Sequence, residues 1–412
     1  MSTLALLQAG QLVTLGGPAP RRGRDLRELR IVEDGAMLIR DGVIAAIGHT
    51  AEINEQAAGA RIIDAGGRVV LPGFVDAHTH PVFAGTRAAE FELRAGGATY
   101  EEIAARGGGV QSTVRSTRAA DEEQLFNDAL RRVEWFLQCG TTTIEAKSGY
   151  GLDVADEIKL LRVIHRLNGE TPLELVPTFL GAHAVPPDMS RADYIRLVIE
   201  EMLPQVTTEH LAENCDIFVE RGYFEPDDAR RILTAAKQHG LKLRMHVDQL
   251  TDSGGAALAA ELGATTADHL EQSGPEGIAA LAAASVQPVL LPASVHALGK
   301  IRYPRAREMI ESGLPVVLAT DFNPGSSPTP CVPMVISLAV NHMGMTFAEA
   351  ISAATINAAC SLGRAETIGS LEPGKLANFA VYDCADYREI GYYFGLPLTH
   401  SVFIRGEQVF GA

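Results

Sequence analysis

The sequence predicts a (β/α)₈ TIM barrel carrying a small β-sandwich domain assembled from both chain termini. Three observations predict it. Short apolar strands, each followed by helical sequence, recur eight times through the middle of the chain, strand-rich ends flank this different middle, and no dinucleotide-binding glycine motif follows any of the strands. The 412 residues leave room for such a barrel plus one small domain, and 46% hydrophobic against 21% charged residues is the composition of a folded globular chain.

The first stretch reads as short strands, Gln11–Leu15, Ala36–Arg40, Val43–Ile47 and Arg61–Asp64, broken by turn signals such as Asp41-Gly42 and Gly66-Gly67. The tail has the same texture over Asn378–Tyr382, Val402–Ile404 and Gln408–Phe410. Isolated hairpins are rarely stable, so the two ends are expected to form one composite domain, 1–68 with 366–412. The barrel then occupies 69–365. Its strands are expected at Gly73–Ala77, Thr141–Ala146, Leu173–Phe179, Cys215–Val219, Leu241–Val247, Thr265–Asp268, Gln287–Leu291 and Val316–Thr320. Among the helices between them, Asp121–Gln138 has an Asp121/Gln124 capping pair, an apolar face of Phe126, Leu130, Val133 and Leu137, and Gly140 as its stop. Asp156–Leu167, Asp193–Met202, Pro226 to Gly240, Gly254–Leu262, Pro275–Ala283 and Ala306–Ser312 follow. A doubly wound open sheet competes, but no GxGxxG follows any of these strands.

Composition narrows the function. With 35 Lys+Arg against 51 Asp+Glu the formal charge is −16, which argues against nucleic acid or an anionic membrane as partner. An anionic substrate would need local positive charge in the site. No apolar run reaches the ~18–20 residues of a membrane span, and the N-terminus lacks the basic start of a signal peptide. Cys139, Cys215, Cys331, Cys360 and Cys384 are scattered and form no CxxC, the usage of a reduced, cytoplasmic protein.

In a barrel, chemistry gathers at the C-terminal ends of the strands. Those ends supply His78 and His80, Lys147, His183, Glu220, His246, His269 and Asp321. Side chains at i and i+2 of a strand point the same way, so His78 and His80 can reach one ion, and imidazoles with a carboxylate suit Zn²⁺ or a similar first-row metal. His-x-His alone is as often a surface pair. Joined to His246 and Asp321 it reads as a metal site, in which bound water would become hydroxide near neutral pH and attack a carbonyl. His269 reads as a catalytic group beside the ion, against the plainer alternative of a core histidine. Arg87 reads as a clamp for a carboxylate, against a solvated loop arginine, and Gly107-Gly108-Gly109 equally as a lid hinge or an ordinary loop. His49, His165, His210, His239 and His342 lie off the strand ends and read as surface or packing residues.

The run Leu71-Pro72-Gly73-Phe74-Val75-Asp76-Ala77-His78-Thr79-His80 resembles the opening of the amidohydrolase superfamily, as do the composite β domain and Glu372-Pro373-Gly374-Lys375-Leu376-Ala377. More narrowly, Pro81-Val82-Phe83-Ala84-Gly85-Thr86-Arg87, Lys147-Ser148-Gly149-Tyr150-Gly151-Leu152, Phe179-Leu180-Gly181-Ala182-His183, His246-Val247-Asp248-Gln249 and Ala319-Thr320-Asp321-Phe322-Asn323-Pro324-Gly325-Ser326 are similar to the branch that opens the imidazolone ring in histidine degradation. The resemblance implies hydrolysis of 4-imidazolone-5-propanoate to N-formimidoyl-L-glutamate with one Zn²⁺ or iron ion per subunit. It implies His78, His80, His246 and Asp321 as ligands, and Arg87, Tyr100, Tyr150, His183, Asn323, Gly325 and Ser326 as contacts of the small anionic substrate. It makes His269 catalytic and, with the general preference for two-fold assemblies, implies a homodimer.

Two departures stand out. Some members carry Glu where this chain has Gln249, and an amide orients groups but cannot shuttle a proton, so acid–base work would fall to His269 and Asp321. Ser294 to Lys300, expected as a loop after the seventh strand, is less aromatic than the family pattern. A deaminase or other cyclic-amide hydrolase on the same scaffold is the enzymatic alternative, and a scaffold protein that has lost its metal the non-enzymatic one. Gln249 opposes the first and the intact His78, His80, His246 and Asp321 the second.

Overall fold

The computed structural model describes residues 3–98, 102, 107–396 and 398–411, so Tyr100 lies outside the described residues. The chain opens with an antiparallel meander of β1 (Thr3–Val13), β2 (Ile31–Arg40) and β3 (Val43–His49). Asp41 (φ +50°) and Gly42 (φ +80°) form the two-residue turn between β2 and β3, both in the left-handed region such hairpins need. β4 (Arg61–Asp64) and β5 (Val69–Pro72) lie parallel to β1. β5 belongs to this sheet although it follows the expected boundary, and the chain passes to the barrel at Gly73.

The barrel strands are β6 (Phe74–Asp76), β7 (Thr141–Lys147), β8 (Glu174–Ala182), β9 (Asn214–Val219), β10 (Lys242–Val247), β11 (Thr266–His269), β12 (Gln287–Leu290) and β13 (Val317–Leu318). Each pairs in parallel with the next, in sequence order. The ring closes just beyond β6 and β13. There Asp321 N–H donates to the His78 carbonyl (3.1 Å) and His80 N–H to the Phe322 carbonyl (2.8 Å). The closing bonds are therefore made by the segments that carry the candidate ligands. β13 is shorter than Val316–Thr320 because Thr320 turns to a side chain. Its amide and hydroxyl donate to the Asp76 carboxylate at 3.0 and 2.5 Å in place of ladder bonds.

The chain then returns to the first sheet through β14 (Phe379–Tyr382), antiparallel to β5, and the hairpin β15 (Thr399–Ile404) and β16 (Glu407–Gly411). Leu4, Leu6, Leu12, Met37, Ile39, Phe379 and Phe403 fill the core between its strands, with the two phenylalanine rings stacked 4.5 Å apart. Both termini thus share one sheet.

The helix leading into β7 runs Glu122–Gln138 with the Asp121 carboxylate accepting from Gln124 N–H at 2.8 Å. Phe126, Val133 and Leu137 are buried and Leu130 half-buried. The segment expected as one helix, Asp193–Met202, is helical over Arg191–Leu197, passes through a π turn at Val198–Met202, and resumes over Leu203–Thr208. Pro204 has no amide hydrogen for an intrahelical bond, and a widened turn accommodates that loss. Pro292–Ala297 is a helix rather than part of a loop, started by Pro292 in its first turn. Val332–His342, Phe347–Ala353 and Ile356–Ser361 add three helices after the barrel's last strand.

Candidate active site

His78 and His80 follow β6, His246 lies in β10, His269 ends β11 and Asp321 follows β13. The barrel brings all five to its C-terminal mouth, each at most 3% exposed. The rings of His78 and His246 are 4.3 Å apart and those of His78 and His80 5.4 Å. Asp321 Oδ1 is 3.6 Å from Nε2 of both His78 and His80. His78, His80 and His246 offer ring nitrogens within 4.8 Å of one another, and His78, His269 and Asp321 form a second such group. His78 Nε2, His80 Nδ1 and both ring nitrogens of His246 are buried without a hydrogen-bond partner among the described residues. A buried polar atom left unpaired is costly, and converging imidazole nitrogens with a carboxylate are the donor set of a first-row ion. The residues present fit a metal.

Beneath the ligands lies a layer of buried charge. Lys147 Nζ bonds Glu145 Oε1 and Asp216 Oδ2, both at 2.6 Å. Arg244 approaches Glu145 at 3.6 Å and Asp268 at 3.5 Å and donates to the Ala77 carbonyl at 2.7 Å. Two of the three acids that share these cations, Asp268 and Asp216, also meet a ligand. His78 Nδ1–H donates to Asp268 Oδ2 at 2.6 Å, a tautomer assigned because the carboxylate is the acceptor there, and this leaves Nε2 free for an ion. Asp216 Oδ2 comes within 3.0 Å of His246 Nδ1, without hydrogen-bond alignment. Burial drives the pKa of His78 well below its usual value and that of His246 down to about 4, so both are neutral and able to ligate near pH 7. Burial opposes charge on Asp216 as well, but His246 and Lys147 outweigh it and hold its pKa well below the ordinary range. Burial lifts Asp268 to about 6 against the pull of Arg244 and Lys147. Two cations against three carboxylates leave one negative charge under neutral imidazoles, the electrostatic complement of a bound cation.

The loops above the ligands place most of the other expected residues. Tyr150 is buried, 5.9 Å from the His80 ring and 5.3 Å from that of His183. Glu157 shapes this loop, accepting from the amides of Gly149, Gly151 and Leu152 at 3.0, 2.7 and 2.9 Å. His183 stacks on His80 at 5.3 Å and donates from Nδ1 to the Gly149 carbonyl, and burial lowers its pKa to about 3. Arg132 fixes the segment after His80, donating to the carbonyls of Pro81 and Phe83 and lying 3.5 Å over the Phe83 ring.

Arg87 caps the helix Ala88–Ala95 and gives Nε and Nη2 to Glu90 at 2.9 and 2.8 Å. Its Nη1 packs on Gly325, where an added Cβ would lie 2.0 Å away, so any side chain there would displace the guanidinium. Glu90 Oε1 also accepts from Gly109 N–H at 3.1 Å, tying the glycine run to Arg87. Asn323 is consumed by its own loop. Its amide donates to the Asp321 carbonyl (2.6 Å) and Ser326 Oγ (2.8 Å), and its oxygen accepts from Gly325 and Ser326 N–H. Ser326 Oγ reaches Asp321 Oδ2 at 3.3 Å.

Two strand-end groups have other employment. Lys147 is locked between carboxylates, and Glu220 pins the loop after β10 by accepting from Leu250 and Thr251 N–H at 2.8 and 3.2 Å. Gln249 donates to Ser294 Oγ at 3.4 Å beside a cavity of about 180 Å³, also lined by Glu271, Lys300 and Arg302. Glu145, Asp216, Arg244 and Asp268 were not among the residues singled out from the sequence. Their signal is a polar residue inside a buried parallel strand, where continuous apolar sequence is the rule. The five cysteines are free, and His49, His165, His210, His239 and His342 are exposed. Among the described residues no helix is long and apolar enough to cross a membrane.

A parallel barrel with a His/Asp cluster at its mouth and a composite sheet of both termini defines a hydrolase of the amidohydrolase class, and residues 69–409 match the amidohydrolase family model. The chain is 60% identical to the imidazolonepropionase of Solibacter usitatus (strain Ellin6076), covering 100% of this chain and 99% of that one. It is 49% identical to the imidazolonepropionase of Geobacillus thermodenitrificans (strain NG80-2), covering 99% and 98%. The chain belongs to the imidazolonepropionase family of amidohydrolases. Among solved structures, E. coli guanine deaminase shares the fold with a TM-score of 0.75 at 16% identity, covering 100% of both chains.

Proposed function

We infer that this chain hydrolyses 4-imidazolone-5-propanoate to N-formimidoyl-L-glutamate, the ring-opening step of histidine degradation. The observation that carries the reading is the cluster of His78, His80, His246 and Asp321 beside His269, in a chain similar from end to end to imidazolonepropionases. The barrel, expected over 69–365 and entered at Gly73 after β5, is the catalytic unit, and 1–72 with 366–412 form the composite β domain that supports it. His78, His80, His246 and Asp321 would hold one Zn²⁺ or iron ion. Bound there, it would polarise the ring carbonyl and lower the pKa of water.

The protein's own groups supply the rest. Burial opposes ionisation of Asp321, but a hydrogen bond from His80 and the nearby His269 and His80 rings overcome it and hold its pKa below the usual range. It is therefore a carboxylate at neutral pH and accepts the proton of the attacking water. Burial likewise opposes charge on His269, yet Glu271 and Asp321 raise its pKa above the ordinary value, so it can carry that proton to the leaving ring nitrogen as the C–O bond forms and the C–N bond breaks. Tyr150 and His183 enclose the ring, Ser326 and the Gly325 backbone border it, and Gln249 orients it by hydrogen bonding without proton transfer. Tyr100 is assigned to the substrate on resemblance alone. The reading is of a cytoplasmic homodimer, consistent with free cysteines and an acidic chain.

Freshly generated imidazolone propanoate tests the function. Metal-loaded protein should turn it over, a chelator should abolish turnover, and ion replacement should restore it. Absence of turnover by protein with one ion per chain overturns the reading.

The Nη1 edge of Arg87 faces Gly325 and is assigned to the propanoate arm, while Glu90 holds the opposite edge of the guanidinium. A lysine cannot serve both partners. Arg87→Lys is expected to raise KM about tenfold or more, the loss of one charge-assisted contact. An analogue with an uncharged arm should change by less than about threefold on the same scale. Equal shifts for both compounds would remove Arg87 from the clamp.

A further inference from the structure

Three buried carboxylates at the barrel mouth have plain structural duties. Asp248 accepts from the amides of Ser253, Gly255 and Ala256 at 3.1, 2.9 and 3.1 Å and from Ser273 Oγ at 2.6 Å. Glu157 and Glu220 likewise grip the backbone of neighbouring loops. Glu271 does not. It is 3% exposed, and its side chain meets no amide of another described residue. Its one hydrogen bond to another described residue joins Oε1 to His269 Nδ1 at 3.3 Å, and Oε2 is buried with no partner among the described residues. A carboxylate kept in the interior for one imidazole has a cost that loop architecture does not explain.

The backbone between them is also strained. His269 (φ +82°) and Leu270 (φ +67°) are consecutive non-glycine residues in a region such side chains seldom adopt. The turn is held on both sides, with Leu270 N–H on the Val247 carbonyl at 3.1 Å and Gln272 N–H on the Asp248 carbonyl at 2.9 Å. Its outcome is that a carboxylate two residues after the histidine reaches that histidine's own ring.

We propose that Glu271 is the positioning residue of His269, fixing the hydrogen on Nδ1 and leaving Nε2 as the nitrogen that takes up and delivers the proton. A carboxylate can only accept, so it tolerates one tautomer of the neutral ring. The inference rests on the reading of His269 as the proton carrier of the hydrolysis.

Glu271→Gln keeps the shape and admits the opposite tautomer, because the amide can turn its NH₂ to Nδ1. With ion content verified at the wild-type level, kcat should fall about 10²–10⁴-fold, the cost of losing a correctly held acid–base group. KM should stay within about threefold, a change too small to signal a lost binding contact. Nitrogen-15 spectra of the histidine rings, with His269 assigned by its absence in His269→Gln, should show Nδ1 protonated in the wild type and the tautomer shifted in Glu271→Gln. Glu271→Asp keeps an acceptor-only group on a shorter arm and should recover part of the lost kcat. Unchanged kcat and tautomer in Glu271→Gln overturn the proposal. So does a loss of bound ion or folded protein in both variants, which would make Glu271 a structural group. If wild-type protein fails on imidazolone propanoate while the ring spectra still respond to Glu271, the functional reading fails and the positioning role stands.

Discussion

Asp321→Asn is expected to lower kcat by about 10²–10⁴-fold, the range for removing a positioned general base. The substitution isolates the chemistry because the backbone at 321 lies at φ +55°, a conformation asparagine adopts nearly as readily as aspartate. The amide still fits between Ser326 Oγ, 3.3 Å from Oδ2, and the two imidazoles 3.6 Å from Oδ1. What disappears is the negative charge that His80 and His269 help to maintain. Asparagine can remain near an ion but cannot accept the proton of attacking water. The measurement is single-turnover kinetics on protein whose ion content equals that of the wild type. Turnover within about threefold of wild type would exclude Asp321 as the base and move that duty to His269.

The barrel was legible because its cues are local. Eight apolar runs separated by helical periodicity mark strands whatever surrounds them, and a histidine after such a run sits at the mouth by topology alone. By that logic the sequence alone places His78, His80, His246, His269 and Asp321 at one end of the barrel. The charge layer under them was not legible in the same way. Glu145, Asp216 and Asp268 are distant in sequence, and only the barrel's closure turns isolated polar residues into partners of Lys147, Arg244, His246 and His78. A strand-end reading stops one residue pair too late, because Glu145 and Arg244 each lie two positions before the group it selects and so point to the same interior. Arg87 shows a different limit. Its sequence context gives a cation near the site, but that Glu90 takes two of its donors and Gly325 admits the rest is a property of packing. Asn323 marks the converse, a polar side chain beside the site whose hydrogen-bonding capacity is absorbed by the turn it makes.

Lys147→Met tests whether that layer holds the barrel together. Methionine is close to lysine in volume and flexibility, so packing is largely preserved and the ammonium alone is lost. Lys147 is fully buried and bonds two carboxylates at 2.6 Å. Burial disfavours its charge, yet Asp216 and Glu145 raise its pKa above the usual value, so the ion is present in the folded protein. Without it Glu145 keeps Arg244, at 3.6 Å, as its cation beside the Thr79 amide, and Asp216 keeps the His246 ring and the Ile217 amide but no cation among the described residues. Breaking a buried pair in this manner costs about 3–5 kcal/mol, because the remaining charges stay in the interior uncompensated. Denaturant unfolding of the metal-free variant should show that loss as a lower midpoint at unchanged slope. The layer's net charge also falls from one negative to two, which strengthens its attraction for a cation among His78, His80 and His246. Loading the variant with its ion should therefore return more stability than loading the wild type, since a ligand bound only by the folded state stabilises it in proportion to its affinity. A midpoint equal to wild type in the metal-free protein would mean that Glu145 or Asp216 has taken up a proton, and that neutral hydrogen bonding rather than ion pairing holds the layer beneath the site.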